Sequence, residues 1–134
     1  MNSSKSVQVI KLQNFNDERG SLTVLEEVVI PFEIKRVYSV KGREGATRGE
    51  HSHKRCSQFM FCVSGKVEVL CDDGKLKQHI TLEPNGDGLF IPPCIWSEQT
   101  YLSDHTIINV ACDRSYEKDD YISEYDIFLS SIDN

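Results

Sequence analysis

Residues 45–58 read Gly-Ala-Thr-Arg-Gly-Glu-His-Ser-His-Lys-Arg-Cys-Ser-Gln and run into the apolar stretch Phe59-Met60-Phe61-Cys62-Val63. Alternate residues of a strand face the same side, so His51 and His53 are expected to send both imidazoles into one cavity. Such a pair moves protons near neutral pH and is equally a start on a metal site. Anion-binding groups stand close by. Arg48 lies three residues before His51, and a guanidinium fork matches phosphate oxygens bidentately. Arg19 sits just before Gly20 in an expected turn from which it can enter the same cavity, whereas Lys35, Arg36, Lys54 and Arg55 serve either an anion or a solvated strand face. Tyr38, in Val37-Tyr38-Ser39-Val40, lies in an ordinary β run and can pack in the core. Trp96, just before Ser97, offers an aromatic platform to a ligand or packing. His79 and His105 have no partners nearby in sequence and read as surface residues.

Short β-type runs separated by turn residues must position these groups. The runs are Val7 to Leu12, Ser21 to Val29, Ile34 to Val40, Gln58 to Val63, Lys66 to Cys71, Leu76 to Leu82, Gly88 to Ile91, Ile95 to Tyr101 and Thr106 to Cys112. Ser64-Gly65 between two apolar runs predicts a hairpin whose glycine takes a positive φ, and Asp72-Asp73-Gly74 predicts the next. Only the tail differs. Tyr121, Ile122, Tyr125, Phe128, Leu129 and Ile132 recur at helical spacing, which predicts an amphipathic helix over Glu117 to Ile132. Asp119 and Asp120 at its start would face the positive end of the helix dipole. The fold class is all-β: an antiparallel β-barrel or jelly roll with a short C-terminal helix, since such folds remove exposed strand edges. An open β-sandwich is the alternative.

A chain of 134 residues with 39% apolar content suits one domain with a real core, spanning residues 1 to 134. The net charge of −6 disfavours nucleic acid as a partner, because neutralising phosphates takes surplus Lys and Arg. That total is uneven. Residues 1–67 carry 11 basic and 7 acidic side chains, whereas residues 68–134 carry 4 and 14, so an anion site should draw on the first half. Met1-Asn2-Ser3-Ser4-Lys5 has no signal-peptide core and no stretch has the apolar length of a membrane span, so a cytoplasmic location is expected. Cys56, Cys62, Cys71, Cys94 and Cys112 contain no C-x-x-C pair and read as reduced, mostly buried thiols.

Gly45, His51, His53 and Gly65 resemble the first motif of the cupin superfamily, G-x5-H-x-H-x(3,4)-E-x6-G, with Gln58 at the place of its metal-ligating glutamate. The second motif can be laid on Gly86 and Pro92, which leaves Ser97 at its histidine and Tyr101 at its asparagine. Two imidazoles, an amide and a hydroxyl lack the anionic ligand that offsets a divalent ion's charge. The expectation is therefore a site with no metal and no cofactor, in which imidazoles move protons.

Four further segments widen the resemblance: Asp17-Glu18-Arg19-Gly20-Ser21-Leu22, Pro31 to Tyr38, Arg48-Gly49-x-His51-x-His53-Lys54, and Asp120-Tyr121-Ile122-x-x-Tyr125-Asp126. Together they look like the WxcM-like sugar 3,4-ketoisomerases, over about Phe15 to Phe128. The resemblance implies metal-independent conversion of dTDP-4-dehydro-6-deoxy-D-glucose to its 3-keto isomer. It implies His51 as base, His53 as relay or acid partner and Tyr38 as a phenol at the reacting oxygens. Arg48, Arg19, Arg36, Lys54, Gln58, Trp96 and Ser97 are the expected substrate contacts. Arg19 looks like the galacto-producing type, whereas Ser97 matches neither the His nor the Arg of the two types. A homodimer with exchanged N-terminal strands is also implied, as is a place in 3-amino-3,6-dideoxyhexose synthesis for bacterial surface glycans. Two rivals stand beside this reading: a non-catalytic cupin-like module that binds a sugar nucleotide or other small ligand, and a metal-dependent cupin with a two-His site.

Overall fold

The computed structural model describes residues 6–132, and in it two five-stranded antiparallel sheets lie face to face. The first sheet runs in the order β1 (Gln8–Ile10), β9 (Gly88–Ile91), β6 (Gln58–Ser64), β11 (Thr106–Cys112), β4 (Arg36–Gly42). The second runs β12 (Tyr121–Ile122), β5 (Thr47–His53), β10 (Trp96–Tyr101), β7 (Val67–Asp72), β8 (Lys77–Leu82). A separate hairpin, β2 (Gln13–Asp17) with β3 (Gly20–Val24), joins neither sheet among the described residues.

Inward-facing residues of both sheets build one core. Met60 and Cys62 on β6, with Ile108, Val110 and Cys112 on β11, meet Val67, Val69 and Cys71 on β7 and Tyr101 on β10. Phe59 points the other way and packs with Phe90, Ala111, Leu12 and Ile30, so the first half of the apolar run on β6 is covered on both faces, whereas Val63 at its end is exposed. This is the jelly roll; the two sheets do not close into a barrel among the described residues. All five cysteines are free thiols, four of them buried and Cys94 exposed.

Three expectations change. Ser64-Gly65 is not a hairpin. Gly65 takes the expected positive φ of 76°, but β6 and β7 belong to different sheets, and the turn carries the chain across the sandwich. Its backbone is held by the connection after β10 instead: the Lys66 N–H donates to Thr106 Oγ1 and the Leu102 N–H to the Lys66 carbonyl. Asp72-Asp73-Gly74 does close the β7–β8 hairpin, with the Asp72 carboxylate accepting the Gly74 N–H at 2.7 Å. The run expected from Ser21 to Val29 stops at Val24, and Val28 beyond it lies open to solvent.

The third change is in the tail. The helix α1 covers only Tyr125–Ser131, and the segment before it is a single 3-10 turn at Lys118–Asp120 followed by β12. Tyr121 and Ile122 pair with His53 and Ser52, so their apolar side chains are satisfied by a strand edge rather than a helix face. Asp120 caps no helix. Its carboxylate, at the end of the 3-10 turn, accepts from His53 and from the Arg55 N–H.

Candidate active site

The site grows from two facing rows of residues. In the first sheet Cys112 pairs with Arg36 on one side and Gln58 on the other, and Tyr38 follows Arg36 on the same face. In the second sheet Ser97 pairs with His51, and His53 pairs with Tyr121. The two imidazoles sit edge to face, 5.0 Å between centroids, and the Tyr121 ring packs on both, at 5.0 Å from His51 and 4.4 Å from His53.

A β-bulge sets which side chains join them. Arg48 lies three positions before His51, which on a regular strand puts them on opposite faces. Here Gly49 (φ 92°) and Glu50 (φ 57°) break the register: His51 stands opposite Ser97 and Arg48 opposite Gln99. Ser97 and Gln99 share a face, so Arg48 does share the imidazoles' face. Gly49 is required twice over, by its positive φ and because a Cβ there would lie 3.0 Å from the Ser97 carbonyl oxygen.

Protonation follows from partners. His51 Nδ1 lies 2.9 Å from the Gly49 carbonyl oxygen, which can only accept, so Nδ1 carries the hydrogen and Nε2 keeps a lone pair. Burial first, then the neighbouring His53, pushes its pKa down to about 4, so His51 is neutral at physiological pH. His53 Nδ1 donates to Asp120 Oδ2 at 2.8 Å, and its buried Nε2 has no partner. Burial also lowers the His53 pKa, against the pull of Asp120. Burial works to raise the Asp120 pKa in turn, but the hydrogen bonds from His53 and the Arg55 N–H outweigh it and hold the carboxyl below its ordinary range.

Across from the imidazoles, Gln58 Nε2 donates to the Tyr38 hydroxyl oxygen at 3.0 Å, which leaves the phenol proton free to be given. Burial, more than any other cause, raises the Tyr38 pKa, so it stays a phenol. The Arg36 guanidinium stacks 4.9 Å from the Tyr38 centroid and 5.3 Å from that of Tyr116, whose ring in turn packs on Tyr121. The assembly thus holds two basic ring nitrogens and one phenolic donor: what a reaction needs when it shuttles protons between adjacent carbons and oxygens.

The family model for FdtA, described as WxcM-like, C-terminal, matches residues 5–133. The chain belongs to this family. It is 39% identical over 127 residues, 93% of this chain and 91% of the relative, to the TDP-4-oxo-6-deoxy-alpha-D-glucose-3,4-oxoisomerase of Aneurinibacillus thermoaerophilus. Among solved structures it is similar to an H51N mutant of the 3,4-ketoisomerase QdtA from Thermoanaerobacterium thermosaccharolyticum in complex with TDP-4-keto-6-deoxyglucose. That likeness has a TM-score of 0.88 at 32% identity and covers 94% of this chain and 93% of the other. A 3,4-ketoisomerase from Helicobacter canadensis is similar at TM-score 0.87 and 34% identity, over 94% and 96% of the two chains. As a member of this family of isomerases, the chain is an enzyme.

The structure brings His51, His53, Tyr38, Gln58, Arg36 and Ser97 of this WxcM-like chain together, with Arg48 on the same face. Arg48 is exposed and forms no ion pair among the described residues, so its guanidinium is free for an anion. Three other expected residues lie elsewhere. Trp96 faces out of the sandwich, packs on Tyr125 and Phe128 and donates to Glu98 at 2.8 Å, so it braces α1 rather than a sugar. Lys54 follows β5 with an exposed side chain. Arg19 stands at the tip of the β2–β3 hairpin, paired to Asp17, and does not reach the imidazoles of its own chain. Arg55 is engaged by Glu117, Asp119 and Asp120 and is not available to a phosphate.

The residues also bear on a metal, since the cupin-like fold implies one. Gln58 turns its amide N–H toward Tyr38, Ser97 offers a neutral hydroxyl, and no carboxylate stands in the row with His51 and His53. This donor set does not fit a divalent ion. His53, Cys56 and Asp120 bring ligand-type atoms within 4.8 Å of one another, but the His53 nitrogen and both Asp120 oxygens on that side are already hydrogen-bonded. Sequence reading missed Asp120 and Tyr121 as part of the site because their apolar spacing looked helical. The signal that could have found them is that Asp120-Tyr121-Ile122 belongs to one of the segments that carry the family resemblance.

Proposed function

We propose that this enzyme moves the ketone of a dTDP-4-dehydro-6-deoxyhexose from C4 to C3 without a metal. The observation that carries the proposal is the pair of neutral imidazoles, each with its Nδ1 hydrogen committed and its Nε2 free, facing a phenolic donor. His51 Nε2 takes the C3 proton, made acidic by the neighbouring carbonyl. The electron pair of the broken C–H bond forms the C3=C4 bond and the carbonyl pair moves onto O4, where Tyr38 donates a hydrogen bond. His53 Nε2 accepts the O3 hydroxyl proton and passes it to O4. The O3 pair then closes the new ketone, the C3=C4 pair moves to C4, and C4 takes the proton held on His51 Nε2, which restores the neutral base. Atoms balance, with no oxidant consumed.

Arg48 and Arg36 fit the diphosphate and the sugar oxygens, and Gln58 and Ser97 line the ring. Arg19 favours the galacto product. We place the enzyme in the cytoplasm, between a dehydratase that makes the 4-keto sugar and an aminotransferase that consumes the 3-keto isomer toward a 3-amino-3,6-dideoxyhexose. Among the described residues no helix is long and apolar enough to cross a membrane.

A homodimer completes the proposal. The β2–β3 hairpin is attached to neither sheet, and its paired residues Phe15 and Leu22 are both 57% exposed. Strand β4, which carries Arg36 and Tyr38, leaves the first sheet with an open edge and an exposed Val37. A hairpin from a second copy laid on that edge would cover both surfaces and carry Arg19 toward the partner's site. The test of the activity is incubation with the dTDP-4-keto sugar in deuterated water, followed by NMR. Loss of the C3 proton signal and growth of a 3-keto product are expected, and absence of both overturns the reading.

A further inference from the structure

We infer that Asp120 is a positioning residue for proton relay, acting through His53. The inference deepens the ketoisomerase reading and rests on it. Asp120 is 1% exposed and each of its oxygens has a fixed partner. Oδ1 accepts the Arg55 backbone N–H at 2.7 Å, and Oδ2 accepts from His53 Nδ1 at 2.8 Å. The Lys54 N–H donates to the Asp120 carbonyl oxygen at 2.9 Å, so the carboxylate is locked to the end of β5 by main chain as well as side chain. With Nδ1 committed, the proton of a neutral His53 cannot reside on Nε2. That nitrogen is buried and unpartnered, the one atom of the ring left for a substrate hydroxyl. A carboxylate behind it also stabilises the imidazolium that forms when Nε2 accepts a proton.

His51 is oriented differently, by a main-chain carbonyl, and does not touch Asp120. The two imidazoles should therefore be separable. The variant Asp120→Asn makes the separation, because the geometry dictates how the amide must sit. The Arg55 N–H needs an acceptor at the Oδ1 position, which places the amide oxygen there and turns the NH2 toward His53. Facing a donor, His53 Nδ1 becomes an acceptor and the proton moves to Nε2, where it blocks transfer from O3.

The experiment has two readouts. Nitrogen-15 NMR of the unsubstituted enzyme should show His53 protonated at Nδ1 and bare at Nε2, and Asp120→Asn should show the reverse; an Nε2–H tautomer in the unsubstituted enzyme overturns the inference without any variant. With the dTDP-4-keto sugar in deuterated water, Asp120→Asn should lose 3-keto product formation by about 10²-fold or more, the scale of general acid–base help. His51-dependent exchange of the C3 proton should continue. Equal loss of exchange and turnover points to a purely structural role and overturns the inference, as does full turnover with the tautomer reversed. If the unsubstituted enzyme neither exchanges nor converts the sugar, the ketoisomerase reading fails instead, and the tautomer still reports on Asp120.

Discussion

Gln58 Nε2 stands 3.0 Å from the Tyr38 hydroxyl oxygen, and this amide occupies the position at which the cupin motif has a carboxylate. The direction of the bond matters more than its length. An amide N–H can only donate, so it fills a lone pair of the phenol oxygen and leaves the phenol proton for the substrate. In Gln58→Glu the carboxylate would accept that proton and withdraw the donor from the reacting oxygen. Turnover should fall by about 10- to 100-fold, while binding of the nucleotide alone, followed by calorimetry, should stay within a few-fold because neither partner reaches a phosphate.

The acid limb of the pH profile should belong to His51. Its folded-state pKa is lowered from 6.5 to about 4, chiefly by burial and then by His53, so the base stays neutral well below pH 6. The rate constant kcat/KM should hold steady from neutral pH down to about 5 and fall only as pH nears 4. Stability carries the opposite mark of the same shift. Between pH 6.5 and 4 the unfolded chain binds a proton at this histidine that the folded chain refuses, so unfolding free energy must drop as pH falls through that window. Urea melts of the unsubstituted enzyme and His51→Asn across the window check this: the variant should show a shallower loss. A drop in kcat/KM centred near 6.5 would contradict the assignment.

Much of this was legible in the sequence, and the failures have physical causes. The His51/His53 pair and most of the jelly-roll strands followed from period-two patterning, whereas Tyr38 and Gln58 were legible only through the family resemblance. The bulge at Gly49–Glu50 was not legible, since one inserted residue changes which face Arg48 occupies without altering composition. Asp120 was misread because Tyr121, Ile122, Tyr125 and Phe128 satisfy a helical period while two of them lie on a strand. Ser64-Gly65 has the residues of a hairpin, and the same positive φ serves a crossing between sheets. Local chemistry specifies a turn's shape, not the partner of the strand that follows it. Arg19 is a different case: it reads as a site residue, yet its own chain holds it away from the site.

Metal removal supplies a third check. The row of His51, His53, Gln58 and Ser97 presents neutral donors, and Gln58 faces its N–H inward to Tyr38. Dialysis against a chelator should leave turnover within about twofold, and added divalent ions should not raise it, because such a donor set binds hard and borderline cations weakly. Loss of activity on chelation with recovery on a specific metal would show that the donors rearrange.

Gly65 allows a stability prediction tied to the crossing between the sheets. Its φ of 76° already disfavours any side chain, and an added Cβ would collide with Thr106 Oγ1 and come within 2.7 Å of Ser103 Oγ. Those hydroxyls are not free to move: Thr106 bonds the Ser103 and Lys66 carbonyl oxygens and holds the connection that anchors the turn. Gly65→Ala should destabilise by about 2–4 kcal/mol, combining left-handed strain with overpacking. Denaturant unfolding with an unchanged m-value is the measurement. A loss under about 0.5 kcal/mol would mean the crossing relaxes.

The last prediction concerns the hairpin. If each site takes its cavity from one subunit and Arg19 from the other, two defective variants should repair each other. Arg19→Ala and His51→Asn, each prepared alone, should be at least about tenfold impaired, the first by losing a cationic contact and the second by losing the base. In a co-expressed mixture, half the dimers pair one variant with the other. Such a dimer holds one site with an intact His51 from the first chain and an intact Arg19 from the second, and one site with neither. Activity should recover to about a quarter of the unsubstituted level. Recovery of that size cannot arise if Arg19 acts within its own chain, because no mixed dimer then contains an intact site. Light scattering on the same samples should return a mass twice the 15.3 kDa of one chain. A 15.3 kDa particle that is fully active would remove both the dimer and the hairpin's role in catalysis.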